Sequence, residues 1–220
     1  MSTPRLSLRS SIYLVTSLAA ISMGAFAAPA TADFETPVNF TVGTAPADLE
    51  AADFNGDRFP DVAVANKTSN TVSVLLGSPI SLFTPALNYS TGAGTGPGSI
   101  TVLDIQRNGR DDVVTGNQTS GSLSQMFGNG LGALGNAVAL TATGGVGAVW
   151  SDDINGDPAP DLVYTNPTGA TMSRRINTSG SFATAGTTAV GTTPDGIVTQ
   201  DFNRDGFVDA LVANSGSNNV

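Results

Sequence analysis

Apolar and polar residues alternate over short runs along this chain, and the runs return in the same order. Asp-Val-Ala-Val-Ala-Asn over 61–66 and Thr-Val-Ser-Val-Leu-Leu-Gly over 71–77 place β-branched residues at a period of two. That pattern predicts two strands, and alternation over 49–54 and 85–91 predicts a first and a fourth around them. The opening segment over 36–43 shares the pattern of the fourth run and predicts a leading strand closed by a turn. The first and second runs are separated by an acidic stretch, Asp53-Phe54-Asn55-Gly56-Asp57-Arg58-Phe59-Pro60-Asp61. It returns from Asp104, Asp153 and Asp201, at steps of 51, 49 and 48 residues. A period of that size identifies a repeat array.

Alignment on these stretches brings other residues into register. Pro46, Pro97 and Pro194 each stand seven residues before the first Asp, and Val146 takes that place in the third unit. Leu49, Ile100, Val149 and Ile197 stand four before it, and Asn66, Asn117, Asn166 and Asn214 each end the second strand. Phe34, Phe83 and Phe182 open the approach to a fourth strand. The units fall at about 46–92, 97–143, 146–191 and 194–220, the last incomplete. A four-stranded antiparallel sheet cannot bury both faces alone and must stack on its neighbours. The expected fold is all-β, with propeller blades of four antiparallel strands in an incomplete, open propeller of about four blades. The third strands are irregular: Val74 corresponds to Gln125 and Arg174, and Leu75 to Met126 and Arg175. This reads as weak packing at a blade edge, or alternatively as a polar groove between units two and three.

Composition adds a compartment. Residues 1–32 have the form of a secretory signal peptide: Arg5 and Arg9, an apolar stretch over 12–28, then Ala25-Phe26-Ala27 and Ala30-Thr31-Ala32 as small-x-small sites. Thr16, Ser17 and Ser22 interrupt the apolar stretch, which falls short of the about 20 apolar residues a bilayer requires. The mature chain, 33–220, is therefore expected to be secreted or extracytoplasmic, at the cell surface or in the periplasm, without a membrane span. The chain has no cysteine. An exported protein without disulfides needs another source of rigidity, and bound metal is the candidate.

The net charge is −9, and thirteen of the 18 acidic residues lie in or beside the four acidic stretches. That concentration marks cation sites, and with only 9 Lys and Arg in the chain it argues against nucleic acid. Calcium takes six to eight oxygens, which a tight loop supplies from side chains at positions 1, 3, 5 and 9 and a backbone carbonyl at 7. Loop one offers Asp53, Asn55, Asp57, the Phe59 carbonyl and Asp61. Loop two offers Asp104, Gln106, Asn108, the Arg110 carbonyl and Asp112. Loop three offers Asp153, Asn155, Asp157, the Ala159 carbonyl and Asp161, and loop four Asp201, Asn203, Asp205, the Phe207 carbonyl and Asp209. Up to four Ca2+ sites are expected, loop two the weakest, because it lacks a carboxylate at position 5 and carries Arg107 and Arg110. An EF-hand would place Glu at position 12, where this chain has Val64, Thr115, Tyr164 and Val212. A single Asp, Asn and Gly cluster could simply be a turn; four in register argue for more.

The run Asp-Phe-Asn-Gly-Asp...Asp-Val-Ala-Val-Ala-Asn, followed by Ser-Asn-Thr-Val-Ser-Val-Leu-Leu-Gly and Phe83, resembles the FG-GAP / VCBS repeat family. These are the calcium-loop propeller repeats of integrin α chains and of many secreted bacterial proteins. The resemblance covers about residues 34–220. Departures occur at position 6, where Arg58 and Pro158 replace Gly, and in the Gly-Asn-Gly-x-Gly turn, which survives only over 128–132. Propellers of the family usually have seven blades, so the resemblance implies a truncated or partial member forming an open arc.

It also implies a secreted calcium-binding module for adhesion or binding, its partner an extracellular protein or glycan. Ligands of the family commonly meet the rim opposite the calcium loops, here 67–70, 92–97, 118–121, 143–147 and 167–170. Two alternatives stand beside it: a carbohydrate-active propeller enzyme, such as a polysaccharide lyase or glycosidase, and a purely structural repeat array of a larger surface protein. The acidic pairs suit glycosidase chemistry. The metal reading already accounts for them, however, and the chain has neither His nor Cys. No enzyme activity and no catalytic residue are therefore expected.

Overall fold

The computed structural model describes residues 37–142 and 144–220. The predicted signal, 1–32, and Phe34 lie outside them. The chain divides into a unit ending at Val38 and a second comprising 39–220, and the second carries every sheet.

Among the described residues sixteen strands form, in chain order. The first blade contains β1 (Pro46–Ala52), β2 (Asp61–Asn66), β3 (Thr71–Leu75), the short pair β4 (Gly77–Ser78) and β5 (Leu82–Phe83), and β6 (Leu87–Ser90). The second contains β7 (Pro97–Leu103), β8 (Asp112–Asn117), β9 (Ser122–Met126) and β10 (Val138–Leu140). The third contains β11 (Val149–Asp152), β12 (Asp161–Asn166), β13 (Thr171–Thr178) and β14 (Ser181–Ala189); β15 (Pro194–Gln200) and β16 (Asp209–Asn214) form a two-stranded fourth sheet. Neighbouring strands are antiparallel in every sheet, in the orders β1-β2-β3-β6, β7-β8-β9-β10 and β11-β12-β13-β14. The result is an all-β open propeller of blade-like sheets.

The leading segment differs from its expectation. Residues 37–42 form no strand. Side chains hold the segment instead: the Phe40 ring meets the Phe83 ring edge-on at 5.3 Å, and the Gly43 N–H donates to Ser73 Oγ at 3.2 Å.

Period-two burial builds one core between blades one and two and another between blades two and three. Ala63, Ala65, Val72 and Val74 face Ile100, Val113 and Met126 across the first interface. Val114 and Leu123 face Val149, Leu162 and Tyr164 across the second. The residue at loop position 2 seals the first and second interfaces from the end, and Ile154 at the third is half-buried. Phe54 is 3% exposed, Ile105 0% and Phe202 51%, so the seal fades where the fourth sheet has no neighbour on its outer face among the described residues.

Gln125 and Arg175 are buried between the second and third blades, which departs from weak packing at an edge. The Arg175 guanidinium donates to the carbonyls of Phe182 and Thr141. Its Nε and Gln125 Oε1 have no protein partner.

The four Asn residues that end the second strands are buried. Asn117 Nδ2 donates to Ser122 Oγ at 3.1 Å and Ser124 Oγ at 2.8 Å, and Asn66 and Asn166 bond the matching hydroxyls of their own blades. The recurring Asn is thus the polar pin of the β2–β3 type hairpin.

Candidate metal loops

Each acidic loop folds around its own first carboxylate. Asp53 accepts from the N–H of Gly56 and of Arg58, and Asp104 from Asn108 and Gly109. Asp153 accepts from Gly156 and Asp157, and Asp201 from Asp205 and Gly206. Position 5 accepts from the N–H of position 7 in all four, as Asp57 does from Phe59 at 2.8 Å. Positions 3 and 5 are also joined: Asn55 donates to Asp57, Asn155 to Asp157 and Asn203 to Asp205. In loop two the direction reverses, and Asn108 donates to Gln106.

The tight curvature needs positive φ at positions 4 and 6, a conformation that suits glycine. Loop one has Gly56 and Arg58 there, with φ of 75° and 72°; loop two has Arg107 and Gly109, with 55° and 77°. Glycine thus shifts between the two places, which is why position 6 alone looks degenerate in sequence.

Position 9 does a different job from the others. Asp61, Asp112 and Asp161 are fully buried. Asp61 accepts from Phe54 N–H at 2.8 Å and from Gly77 N–H at 2.7 Å, so it fastens the loop to the end of the third strand. Asp112 repeats this with Ile105 and Gly128, and Asp161 accepts from Asn177 N–H at 2.7 Å. Desolvation by burial raises the pKa of all three, and the hydrogen bonds they accept pull the other way.

The carboxylates at positions 1 and 5 repel that of position 9 in loops one and three. Among the described residues no three acidic side chains are already gathered closely enough to hold a metal ion. Two features nevertheless fit a hard cation. The donor set is entirely oxygen, and Asp57, Asp157 and Asp205 are exposed, held only by bonds within their own loops. In loop three the Ile154 N–H also draws the Asp161 carboxylate, as Phe54 N–H does that of Asp61.

Struts between blades support the loops. The Phe54 carbonyl accepts from Gly132 N–H at 2.9 Å, within the turn over 128–132. The Ile105 carbonyl accepts from Asn177 Nδ2 at 2.8 Å. Asp111 Oδ2 accepts from Asp53 N–H at 3.1 Å. The inner strands are joined by side chains as well. Ile100 N–H donates to Asp48 at 3.0 Å, Val102 N–H to Glu50 at 2.9 Å, Val149 N–H to Ser99 at 3.1 Å and Thr199 Oγ1 to Asp152 at 2.6 Å. Asp48, Glu50 and Asp152 are therefore blade fasteners, a role sequence spacing did not reveal. On the opposite rim, Lys67 Nζ donates to Gln118 Oε1 at 2.7 Å and Gln118 Nε2 to the Gly147 carbonyl at 3.1 Å. Rim loops of three successive blades are thus tied together.

Stacked four-stranded sheets with an acidic loop between first and second strands define an open β-propeller of loop-bearing repeats. The FG-GAP-like repeat model matches residues 53–115 and 153–212, and the chain belongs to that family.

No curated protein matches the chain in sequence. Among solved structures it is similar to a Bacteroides uniformis protein described as a 6-phosphogluconolactonase, with a TM-score of 0.57 at 18% identity over 76% of this chain and 47% of that one. It is similar to the Pseudomonas aeruginosa periplasmic gluconolactonase PpgL, with a TM-score of 0.53 at 20% identity over 76% and 47%. It is also similar to BBS1N, solved in complex with ARL6DN, with a TM-score of 0.52 at 14% identity over 80% and 52%. The chain spans about half the length of these structures, and the likeness is one of fold.

Proposed function

We propose that this chain is an extracytoplasmic β-propeller module, held by Ca2+ in its acidic loops, that binds an extracellular protein or glycan. The observation that carries the metal reading is the repeated loop. Oxygen side chains stand at positions 1, 3, 5 and 9 four times over, and their carboxylates repel one another in loops one and three. A divalent cation would remove that repulsion. The exposed carboxylates at position 5 would turn to meet the ion, and the buried position-9 carboxylates would serve it while keeping their backbone bonds. Loop two, with carboxylates only at Asp104 and Asp112, would hold an ion most weakly. The module reading also suits the rim, where loops rich in Gly, Ser and Thr are tied into a stable surface.

The test is thermal unfolding of residues 33–220 in chelator and in millimolar calcium. Binding to the folded state alone raises stability by linkage, and extracellular calcium modules bind at about 10⁻⁴–10⁻³ M. Calcium should raise Tm, and Asp57→Ala or Asp205→Ala should remove more of that rise than Asn108→Ala. Identical curves in the two conditions sink the calcium reading, and a greater loss from Asn108→Ala sinks the ranking.

A further inference from the structure

The third blade departs from the first two where its outer hairpin begins. After β3 the first blade makes only the short separate pair β4–β5, and after β9 Gly128 makes a single bridge with Leu134, whereas β13 runs unbroken to Thr178 and pairs Thr178 with Ser181 across a tight turn. Ser179 and Gly180 take positive φ there, 54° and 87°. The extended hairpin reaches over loop two: a Cβ on Gly180 would stand 3.4 Å from Gln106 Cγ. Asn177 fixes it, bonding the Ile105 carbonyl of loop two, the Pro160 carbonyl of loop three and, through its own oxygen, Gly180 N–H.

This arrangement closes a cleft of about 500 Å³ between loops two and three, lined by Gln106, Arg107, Asp157, Asn177, Thr178 and Ser179 together with Ala159 and Gly180. That size suits a small ligand. Its side chains are a guanidinium, a carboxylate, two amides and two hydroxyls, with Ala159 the one apolar side chain, so an apolar ligand has nothing to bury against. Arg107 is its only cation. Its φ of 55° is that of loop position 4, which Arg204 shares at 64°. Arg107 also helps hold the Asp157 carboxyl below the usual range, after the hydrogen bonds from Ala159 N–H and Asn155.

We infer that this cleft binds a carboxylate-bearing saccharide, with the uronate carboxylate at Arg107 and the hydroxyls at Gln106, Thr178 and Ser179. The inference rests on the calcium reading in one respect. With loop three free of cation, Asp157 opposes a carboxylate; with the ion bound, its charge is offset and Arg107 leaves the cleft net positive. Binding is therefore calcium-dependent, and a neutral sugar of the same shape gains nothing from either charge.

The experiment is titration calorimetry of residues 33–220 with trigalacturonate and with neutral galactotriose, each in millimolar calcium and in chelator, alongside melting curves. Trigalacturonate should bind in calcium at least tenfold more tightly than galactotriose. Arg107→Gln should weaken it about tenfold, the loss of one charge-assisted pair. Thr178→Tyr, a β-compatible change at an exposed strand end, should block the cleft with Tm unchanged, and Arg204→Gln in loop four should have no effect. A calcium-raised Tm without trigalacturonate binding overturns the inference and leaves the calcium reading standing. Binding undiminished by Arg107→Gln, or equal for the neutral sugar, also overturns it. Binding as tight in chelator as in calcium overturns the calcium dependence.

Discussion

The side-chain amide of Asn177 donates to the backbone carbonyl of Ile105, 72 residues earlier, at 2.8 Å. Both residues are buried, so the bond is made away from water and the carbonyl has no ready substitute. Asn177→Ala removes this bond and a second to Pro160. A buried acceptor left unsatisfied costs about 1–3 kcal/mol. In a chain of this size each kcal/mol shifts Tm by about 2–4 °C, so a loss of roughly 2–12 °C is expected by calorimetry. Asn177→Asp, which keeps shape but not donors, should do no better.

Position 9 and position 5 should separate cleanly. Asp112→Ala leaves the N–H groups of Ile105 and Gly128 without their acceptor, so most of its cost should already appear in chelator. Asp57 is exposed and serves its own loop. Asp57→Ala should therefore be mild in chelator and show its main loss in calcium. Melting curves of both variants in both conditions decide the matter.

Gly128 tests the closeness of the clamp. A Cβ there would stand 2.1 Å from the Asp111 carbonyl oxygen, a backbone atom that cannot move alone. Gly128→Ala should destabilise by at least about 1–3 kcal/mol, the range for overpacking. Gly109→Ala meets no atom within 4 Å but must hold a φ of 77°, so its cost should be that of backbone strain alone, about 1 kcal/mol. Urea midpoints of the two variants measure the difference.

Acid should stabilise the calcium-free protein over a defined range. Burial pushes the Glu50 carboxyl up, against the pull of Val102 N–H, and Asp48 and Asp111 push it further. A folded pKa above the unfolded one means the folded state binds the proton more tightly. The stabilisation is complete below the unfolded value of about 4.3 and is lost as pH rises through the raised folded value. Asp61, Asp112 and Asp161 act in the same sense. In chelator, Tm should rise as pH falls from 7 toward about 5, and Glu50→Gln should flatten that slope. A Tm that falls steadily over the same range would contradict the assignment.

The sequence made the fold legible wherever a feature recurred. The acidic stretches, the Asn66 series and the second strands repeat at one spacing, and the structure places each at the same point of its blade. What did not recur was hidden. Asp48 and Glu50 correspond to Ser99 and Thr101, and their partners lie 52 residues on, so no local pattern marks them. Position 9 looked like one more member of its donor set, because its second acceptor bond crosses to the end of the third strand. Gln125 and Arg175 looked like edge residues because polarity in a β-run usually signals solvent. Arg175 is instead buried with carbonyl partners supplied by the 141 and 182 backbones.

The fasteners of the inner strands have a consequence for how such a chain could be rearranged. Blade one holds its successor with two carboxylates, Asp48 and Glu50; blade two uses hydroxyls, Ser99 to Val149 N–H and Thr101 to Ser151; blade three uses Asp152 on Thr199. Each junction is cut to a different key, so the order of the modules is specified by chemistry as well as by the chain that links them. A shuffled chain with its second and third repeats exchanged would keep every loop and every hairpin. It would set Asp152, which accepts from the Thr199 hydroxyl, against a strand that carries Val102 in that place, and the mismatch would fall among the inner strands that join the blades.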